Sequence, residues 1–439
     1  MKKITVLFSV ICSFFVVLTF LKDGFAGQKE NIKDNEEIKA VYISYIELNS
    51  YISGKDEETS KKNITKMLDE IKDFGFNTVI VHVRAFSDSM YKSDYYPVSN
   101  TVLNNKNTYP NYDVLEFFIK EAHERSLKFE AWINPFRISN QTSLDNVSID
   151  SPYYKFIKNK DAAVIEGKGV YLNPASSEVR ELIVKGIEEI VKNYDVDGIH
   201  FDDYFYPDKK IDLHSYEKYK KDGGILSLEE YRLENITTLI RNVYEMIKVT
   251  KENVKFGIAP EGNIQNDYEN SYLDVKKILA SKGYVDYIMP QIYFGFENQT
   301  RPFKETLDEW NNMIKDESIK IIPALAFYKI GTTDKYALSG KNEWIENSDI
   351  IKRQILYITY LSLTLNWTLR RLPGDWAYLK AFLPNTSAGQ RRLLQNEWKR
   401  FWNRSVLLDG NWPLCTSHKY RCDTKPLKIY HKYLRIRFL

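Results

Sequence analysis

An apolar stretch that ends in two adjacent carboxylates and then a run of rings, DVDGIHFDDYFYP at 195–207, puts acid–base chemistry at the tip of a buried strand. Side chains alternate in direction along a strand. Ile199 and Phe201 therefore face one way, His200 and Asp202 the other, and Asp203 opens the following loop. The same alternation in 77–84 sends His82 and Arg84 to the inner side, and in 128–134 it sends Glu130, Trp132 and Asn134 there. In 254–261 it brings Glu261 to the tip, and in 285–293 it aligns Gln291 with Tyr293. Five strand ends thus deliver polar groups to one place. Carboxylates among Tyr, Phe and Trp rings suit the cleavage of glycosidic bonds: one carboxyl protonates the leaving oxygen, another attacks or activates water, and flat rings stack on sugars. Asp202 is expected as nucleophile or base and Asp203 or Glu261 as the acid. Arg84, Asn134 and Gln291 would orient substrate, with Arg84 keeping one carboxylate ionised.

An Asp-Asp pair after a strand is also a common turn former; the convergence of five strand tips is what favours chemistry. The chain has six His, with no His-x-His and no His-x-x-x-His, so metal-dependent hydrolysis is disfavoured and no metal or other cofactor is expected. His82 and His200 read as hydrogen-bonded interior residues.

These tips must be carried by something. From Glu37 to Tyr328, short β-rich apolar runs alternate with longer segments of helical period, the pattern of βα units around a parallel sheet. Strands are predicted at 39–44, 77–84, 128–134, 197–202, 254–261, 285–293 and 319–327. Between them, Ile64, Met67, Leu68 and Ile71 form one helical stripe that stops before Gly75. Val179, Leu182, Ile183, Ile187, Ile190 and Val191 form another, capped by Ser176 or Ser177. Seven or eight such units in about 300 residues, without a Gly-rich phosphate turn after the first strand, predict an α/β fold of the (β/α)8 TIM-barrel type. SLTLNWTLRRLPGDW at 362–376 contains no convincing strand, so the eighth stave is expected to be missing or altered.

The 439 residues, 43% of them apolar, suffice for a large core. Lys2 and Lys3 precede an apolar run to Leu21, and Gly24, Phe25 and Ala26 offer a cleavage site. Residues 1–26 are read as a secretory signal, an uncleaved anchor being the minority reading. After Cys12 no cysteine occurs before Cys415 and Cys422, so the exported part must hold together by packing. Residues 1–361 carry 47 Lys and Arg against 55 Asp and Glu, net −8; residues 362–439 carry 15 against 4, net +11, with five of the eight Trp. The expected organisation is a barrel over 37–361 and a basic Arg/Trp-rich tail over 362–439, which a shifted reading frame or a chimeric gene would produce; a wall- or nucleic-acid-binding module is the alternative.

HVRAFSDSMYKSDYYP at 82–97, EAWINPFRI at 130–138, YLNPASSEVRELI at 171–183, YDVDGIHFDDYFYP at 194–207, FGIAPEGN at 256–263 and VDYIMPQIYF at 285–294 resemble, in order, the family-10-like glycosyl hydrolase domain. The resemblance implies a barrel over roughly 37–361. It also implies a site built on Arg84, Asp88, Tyr91, Asn134, Arg137, Asn173, His200, Asp202, Asp203, Tyr204, Gln291 and Tyr293; Trp132 is expected as a further substrate-binding residue on strand alternation, not on the resemblance. Glu261 departs from the family pattern, where an apolar residue is usual, and rests on strand alternation alone. The function expected is an exported glycoside hydrolase, secreted or at the cell surface. Its partner would be a bacterial or host polysaccharide rather than a nucleic acid, with membrane contact only through the N-terminal signal or anchor. The alternative is a carbohydrate-binding pseudoenzyme that keeps the rings without an acid–base pair.

Overall fold

The computed structural model describes residues 38–156, 161–316, 318–368 and 378–379. The expected leader lies outside the described residues, as does the basic tail apart from 362–368 and 378–379. The strand-forming runs become β1 (Ala40–Ile43), β2 (Thr78–Arg84), β3 (Lys128–Ile133), β4 (Gly198–Phe201), β5 (Lys255–Ile258), β6 (Tyr287–Ile288), β7 (Lys320–Ile321), β8 (Ala324–Leu325) and β9 (Tyr378–Leu379). They pair in parallel as one sheet, with β6 next to β7, β8 next to β9 and β9 next to β1. β7 and β8 are two pieces of one stave. The break falls at Pro323, which has no N–H to give, while Ile322 and Ala324 on either side still donate to Ile288 O and Pro290 O. Pro260 and Pro290 cut β5 and β6 short in the same way, and beyond them only single bridges, Glu261 to Gln291 and Gln291 to Ala324, carry the pairing on. The fold is a (β/α)8 TIM-type barrel, incomplete among the described residues, where the eighth stave shows as Tyr378–Leu379.

The helices form where apolar spacing and caps permit. In the helix Glu57–Asp73, Ile64, Met67, Leu68 and Ile71 are buried, and Gly75 ends the turn at a positive φ. The helix Ser177–Asn193 begins at Ser176, whose side chain accepts from Val179 N. The helix Ile350–Thr368 runs past residue 361. Among the described residues no helix is long and apolar enough to cross a membrane.

Two apolar layers result. The larger lies between sheet and helices and takes Val79, Val81, Ile199, Phe201 and Phe256. The smaller fills the barrel with Ala40, Tyr42, Ile80, Trp132, Ala259, Tyr287, Met289 and Ile322. Large rings fit there because their neighbours are small. A Cβ on Gly257 would sit 1.9 Å from the Tyr287 ring, and one on Gly198 would sit 3.0 Å from Glu130 Cγ. The Tyr287 ring cannot step aside, since its hydroxyl is held by both Glu130 and His200. Gly257→Ala is therefore expected to cost about 1–3 kcal/mol by overpacking, read as a lower urea midpoint at unchanged slope.

After β3 the chain adds an antiparallel sheet of Arg137–Ser139, Gly169–Leu172 and Ala163–Glu166. Its hairpin turns at Gly167, with φ +58, and Lys168, a two-residue connection of the kind that needs positive φ.

Candidate active site

Asp202 leaves the end of β4 inside the barrel mouth and is buried. Three donors converge on it. Trp132 Nε1–H reaches Oδ2 at 3.1 Å, Asn134 Nδ2 reaches Oδ2 at 3.1 Å, and the Tyr204 N–H reaches Oδ1 at 3.2 Å. Trp132 and Asn134 come from β3 and the residue after its end, whose register sets Trp132 beside His200. Burial first, and then the neighbouring Asp203 charge, push the Asp202 carboxyl up to about 6, against the Arg137 guanidinium and the N–H donors. Asp203 itself is half-buried in the loop.

Arg137 is fixed as firmly as Asp202. Its Nε donates to Ala85 O at 3.1 Å, its backbone N–H donates to Asn134 Oδ1 at 3.0 Å, and its guanidinium lies 4.6 Å from the Phe86 ring and 4.8 Å from that of Tyr204. It is the cation whose charge lowers the proton affinity of Asp202.

Arg84 was expected in that place, and the structure corrects this. Opposite β3, β2 holds one extra residue: His82 pairs with Trp132 but Arg84 with Ile133, so the register slips between them. Such a bulge reverses the direction of every later side chain. Arg84 turns into the helix layer, where Nη2 donates to Gly186 O at 3.2 Å and to Tyr91 Oη at 3.3 Å and the guanidinium lies 3.7 Å over the Tyr96 ring. Tyr91 goes with it, donating to Glu189 Oε2 at 2.9 Å. Gly186 makes room, since a Cβ there would lie 2.4 Å from the Tyr96 ring.

Two further expected residues shape loops. Asp88 Oδ1 accepts the Phe86 N–H at 3.0 Å. Asn173 is buried, its Nδ2 donating to Asp161 O at 2.6 Å and Ser215 Oγ at 3.1 Å, which ties the added sheet to the helix Leu213–Lys221.

Around the mouth from Asp202, Glu261 follows β5. Its N–H donates to Asp267 Oδ1 at 3.0 Å and its Oε2 accepts from Asn266. Burial raises Glu261, opposed by the Asn266 bond and aided by the Asp203 charge. Asp267, deeply buried, is raised well above the usual range by burial and by Glu261. Gln291 donates to Ala259 O at 2.9 Å, and Tyr293 packs edge-on against Tyr328. The Asp203 charge acts on both of these tyrosines as well as on Glu261.

Beneath Asp202 the barrel is polar. Tyr287 donates to Glu130 Oε2, and its hydroxyl lies 2.9 Å from His200 Nδ1; His200 Nε2 lies 3.0 Å from Tyr42 Oη, whose O–H donates to Met289 Sδ at 2.7 Å. Burial lowers His200 to about 3 and lifts Glu130 to about 7, so the imidazole is neutral. The His82 ring stacks on Trp132 at 3.8 Å. Because Glu130 binds its proton more tightly folded than unfolded, its contribution to stability is complete below about pH 4.5 and is lost as pH rises through about 7. Glu130→Gln keeps an acceptor for Tyr287 and removes this loss. Urea midpoints at pH 5 and pH 8 should show the wild-type decline reduced by up to about 3 kcal/mol in the variant.

Strand alternation carried a signal for Tyr42 and Tyr287. Nothing in the sequence marked Asp267, Phe86 or Tyr328. Among the described residues no group of three or more His, Cys, Asp or Glu is arranged to hold a metal ion.

The glycosyl hydrolase-like 10 family model matches residues 37–344. The chain is 33% identical over 338 residues to glycosyl hydrolase YngK of Bacillus subtilis (strain 168); the match covers 72% of this chain and 65% of YngK, just under two thirds of that relative's length. It is 30% identical over 356 residues to glycosyl hydrolase DigH of Escherichia coli O6:H1, covering 75% of this chain and 78% of DigH. In fold it is similar to the glycoside hydrolase domain of PgaB (BpsB) from Bordetella bronchiseptica, with a TM-score of 0.52 at 14% identity over 82% of this chain and 98% of that one.

Proposed function

Since the chain belongs to the glycosyl hydrolase-like 10 family, we propose that it is an exported glycoside hydrolase that cleaves a bacterial or host polysaccharide with the carboxyl groups at its barrel mouth. The observation that carries this reading is the Asp202 carboxylate, buried on the fourth stave under three convergent donors and beside a second carboxylate. A buried carboxyl raised by desolvation and a like charge at the mouth of a barrel favours chemistry over turn formation.

In the proposed reaction Asp202 acts ionised, as nucleophile or base. Trp132, Asn134 and the Tyr204 N–H fix both of its oxygens, so it meets the anomeric carbon in a set orientation. Arg137 keeps it charged near neutral pH. Glu261 holds a proton more readily than an ordinary glutamate and gives it to the leaving oxygen. Asp203, next to Asp202 in the chain, raises the proton affinity of Glu261 and offsets positive charge that develops on the sugar ring. Tyr204, 47% exposed, offers a ring face to a pyranose.

The test is release of reducing ends from wall and exopolysaccharide fractions by the purified protein and by Asp202→Asn. Release that vanishes in the variant supports the reading. No release by folded wild-type protein would leave a binding protein in its place.

A further inference from the structure

The barrel mouth has a second exposed ring, and its setting is unlike that of a scattered surface tyrosine. Tyr328 lies in the short turn Phe327–Lys329 directly after β8 and is 43% exposed. Its ring stands edge-on to Tyr293, with centroids 5.9 Å apart and planes at 86°. The turn is locked from below, because Lys329 Nζ donates to Tyr293 O at 2.8 Å and to Asp334 Oδ2 at 2.9 Å. Asp334 is buried and in turn accepts the Tyr336 N–H.

Tyr204 projects from the loop after β4, whereas Tyr328 follows the stave made of β7 and β8. Three steps separate these staves in an eight-membered ring, so the two rings stand on nearly opposite walls of the mouth. The Asp203 charge acts on both hydroxyls. The Arg137 guanidinium lies 4.8 Å from Tyr204 on one wall, as Tyr293 and Lys329 brace Tyr328 on the other. A single pyranose cannot stack on two rings placed across the mouth; two units, one on either side of the bond between them, can.

We propose that Tyr328 is a stacking platform for a sugar unit on the far side of the scissile bond from the unit held at Tyr204. The protein then binds a run of sugars across the mouth rather than a single terminal residue, and the ring at 328 determines how well chains longer than a disaccharide bind. This rests on the glycosidase reading for the word "scissile" but not for the binding.

The experiment compares wild type with Tyr328→Ala and Tyr328→Phe on size-fractionated oligosaccharides prepared from whichever wall or exopolysaccharide fraction the enzyme cleaves. Because ring stacking is worth roughly 2- to 10-fold in affinity, Tyr328→Ala should raise KM on long oligomers by about 3- to 10-fold with kcat within about twofold of wild type, and should change KM little on the shortest cleaved oligomer. Tyr328→Phe should match wild type, since the ring and not the hydroxyl makes the contact. The inference is overturned if Ala changes kcat instead of KM, if it changes neither, or if Phe is as poor as Ala. If wild type cleaves nothing, the glycosidase reading fails by itself, and affinity electrophoresis in gels cast with the same polysaccharides still decides the inference. Retardation kept by Phe and lost by Ala supports the platform; equal retardation of all three, or none, overturns it.

Discussion

Asp202→Asn is expected to lower kcat by at least about 10³-fold while leaving the protein at pH 8 no less stable than the wild type. The two halves of this expectation have one cause. Asp202 is buried beside Asp203, and its carboxyl titrates near 6 rather than near 3.8. The folded state thus binds this proton more tightly than the unfolded chain. The stability it contributes is complete below about pH 4 and is lost as pH rises through 6. At pH 8 a shift of that size corresponds to about 3 kcal/mol of destabilisation at most. Asparagine removes the charge, but it turns an amide N–H toward the donors Trp132 and Asn134, which returns part of the gain. Were the Asp-Asp pair only a turn former, the same substitution would lower stability and leave turnover alone. Measuring kcat and the urea midpoint on one preparation separates these cases. The wild-type rate should also fall below about pH 6, where Asp202 becomes neutral; an acid limb far from that value would move the nucleophile elsewhere.

Arg232→Met is expected to cost about 3–5 kcal/mol of unfolding free energy, the range for leaving a buried charge without its partner. Asp212 is fully buried at the end of the loop that follows the two catalytic candidates. Arg232, in the helix Leu228–Thr250, meets it with both Nε and Nη2, at 2.8 and 2.7 Å. The same guanidinium donates to Lys209 O and, at 2.7 Å, to Tyr272 Oη, while Tyr206 donates to Asp212 Oδ2 at 2.5 Å. One cation therefore ties the 204–212 loop to the helix layer, and with it the Tyr204 N–H that holds Asp202. Methionine fills similar volume without a charge and strands the Asp212 carboxylate. Adding Asp212→Asn should recover at least half of the loss, because the stranded charge disappears. A loss below about 1 kcal/mol in the single variant, or no recovery in the double, would show that the pair is not what anchors the loop.

Local patterns decided a good deal in this protein. Alternation in 197–203 sends His200 and Asp202 inward because a strand has a period of two, and the helical stripes at 64–71 and 179–191 follow from a period of 3.6. The motifs from His82 to Phe294 carried the family and hence the barrel. Local patterns also gave the wrong direction for Arg84. A bulge is a mismatch between two strands, and no residue of β2 read alone announces that β3 is one position shorter opposite it. Proline shortened β5, β6 and the seventh stave by removing donors, which the sequence does show, but where pairing resumed depended on neighbouring strands. The substitution of Arg137 for Arg84 beside Asp202, the Glu261 bond to Asp267 and the edge-on packing of Tyr328 on Tyr293 are likewise products of tertiary structure. Each depends on distances between loops that leave different staves. A period along one chain segment can fix which way a side chain points, but only closure of the sheet fixes what it meets there.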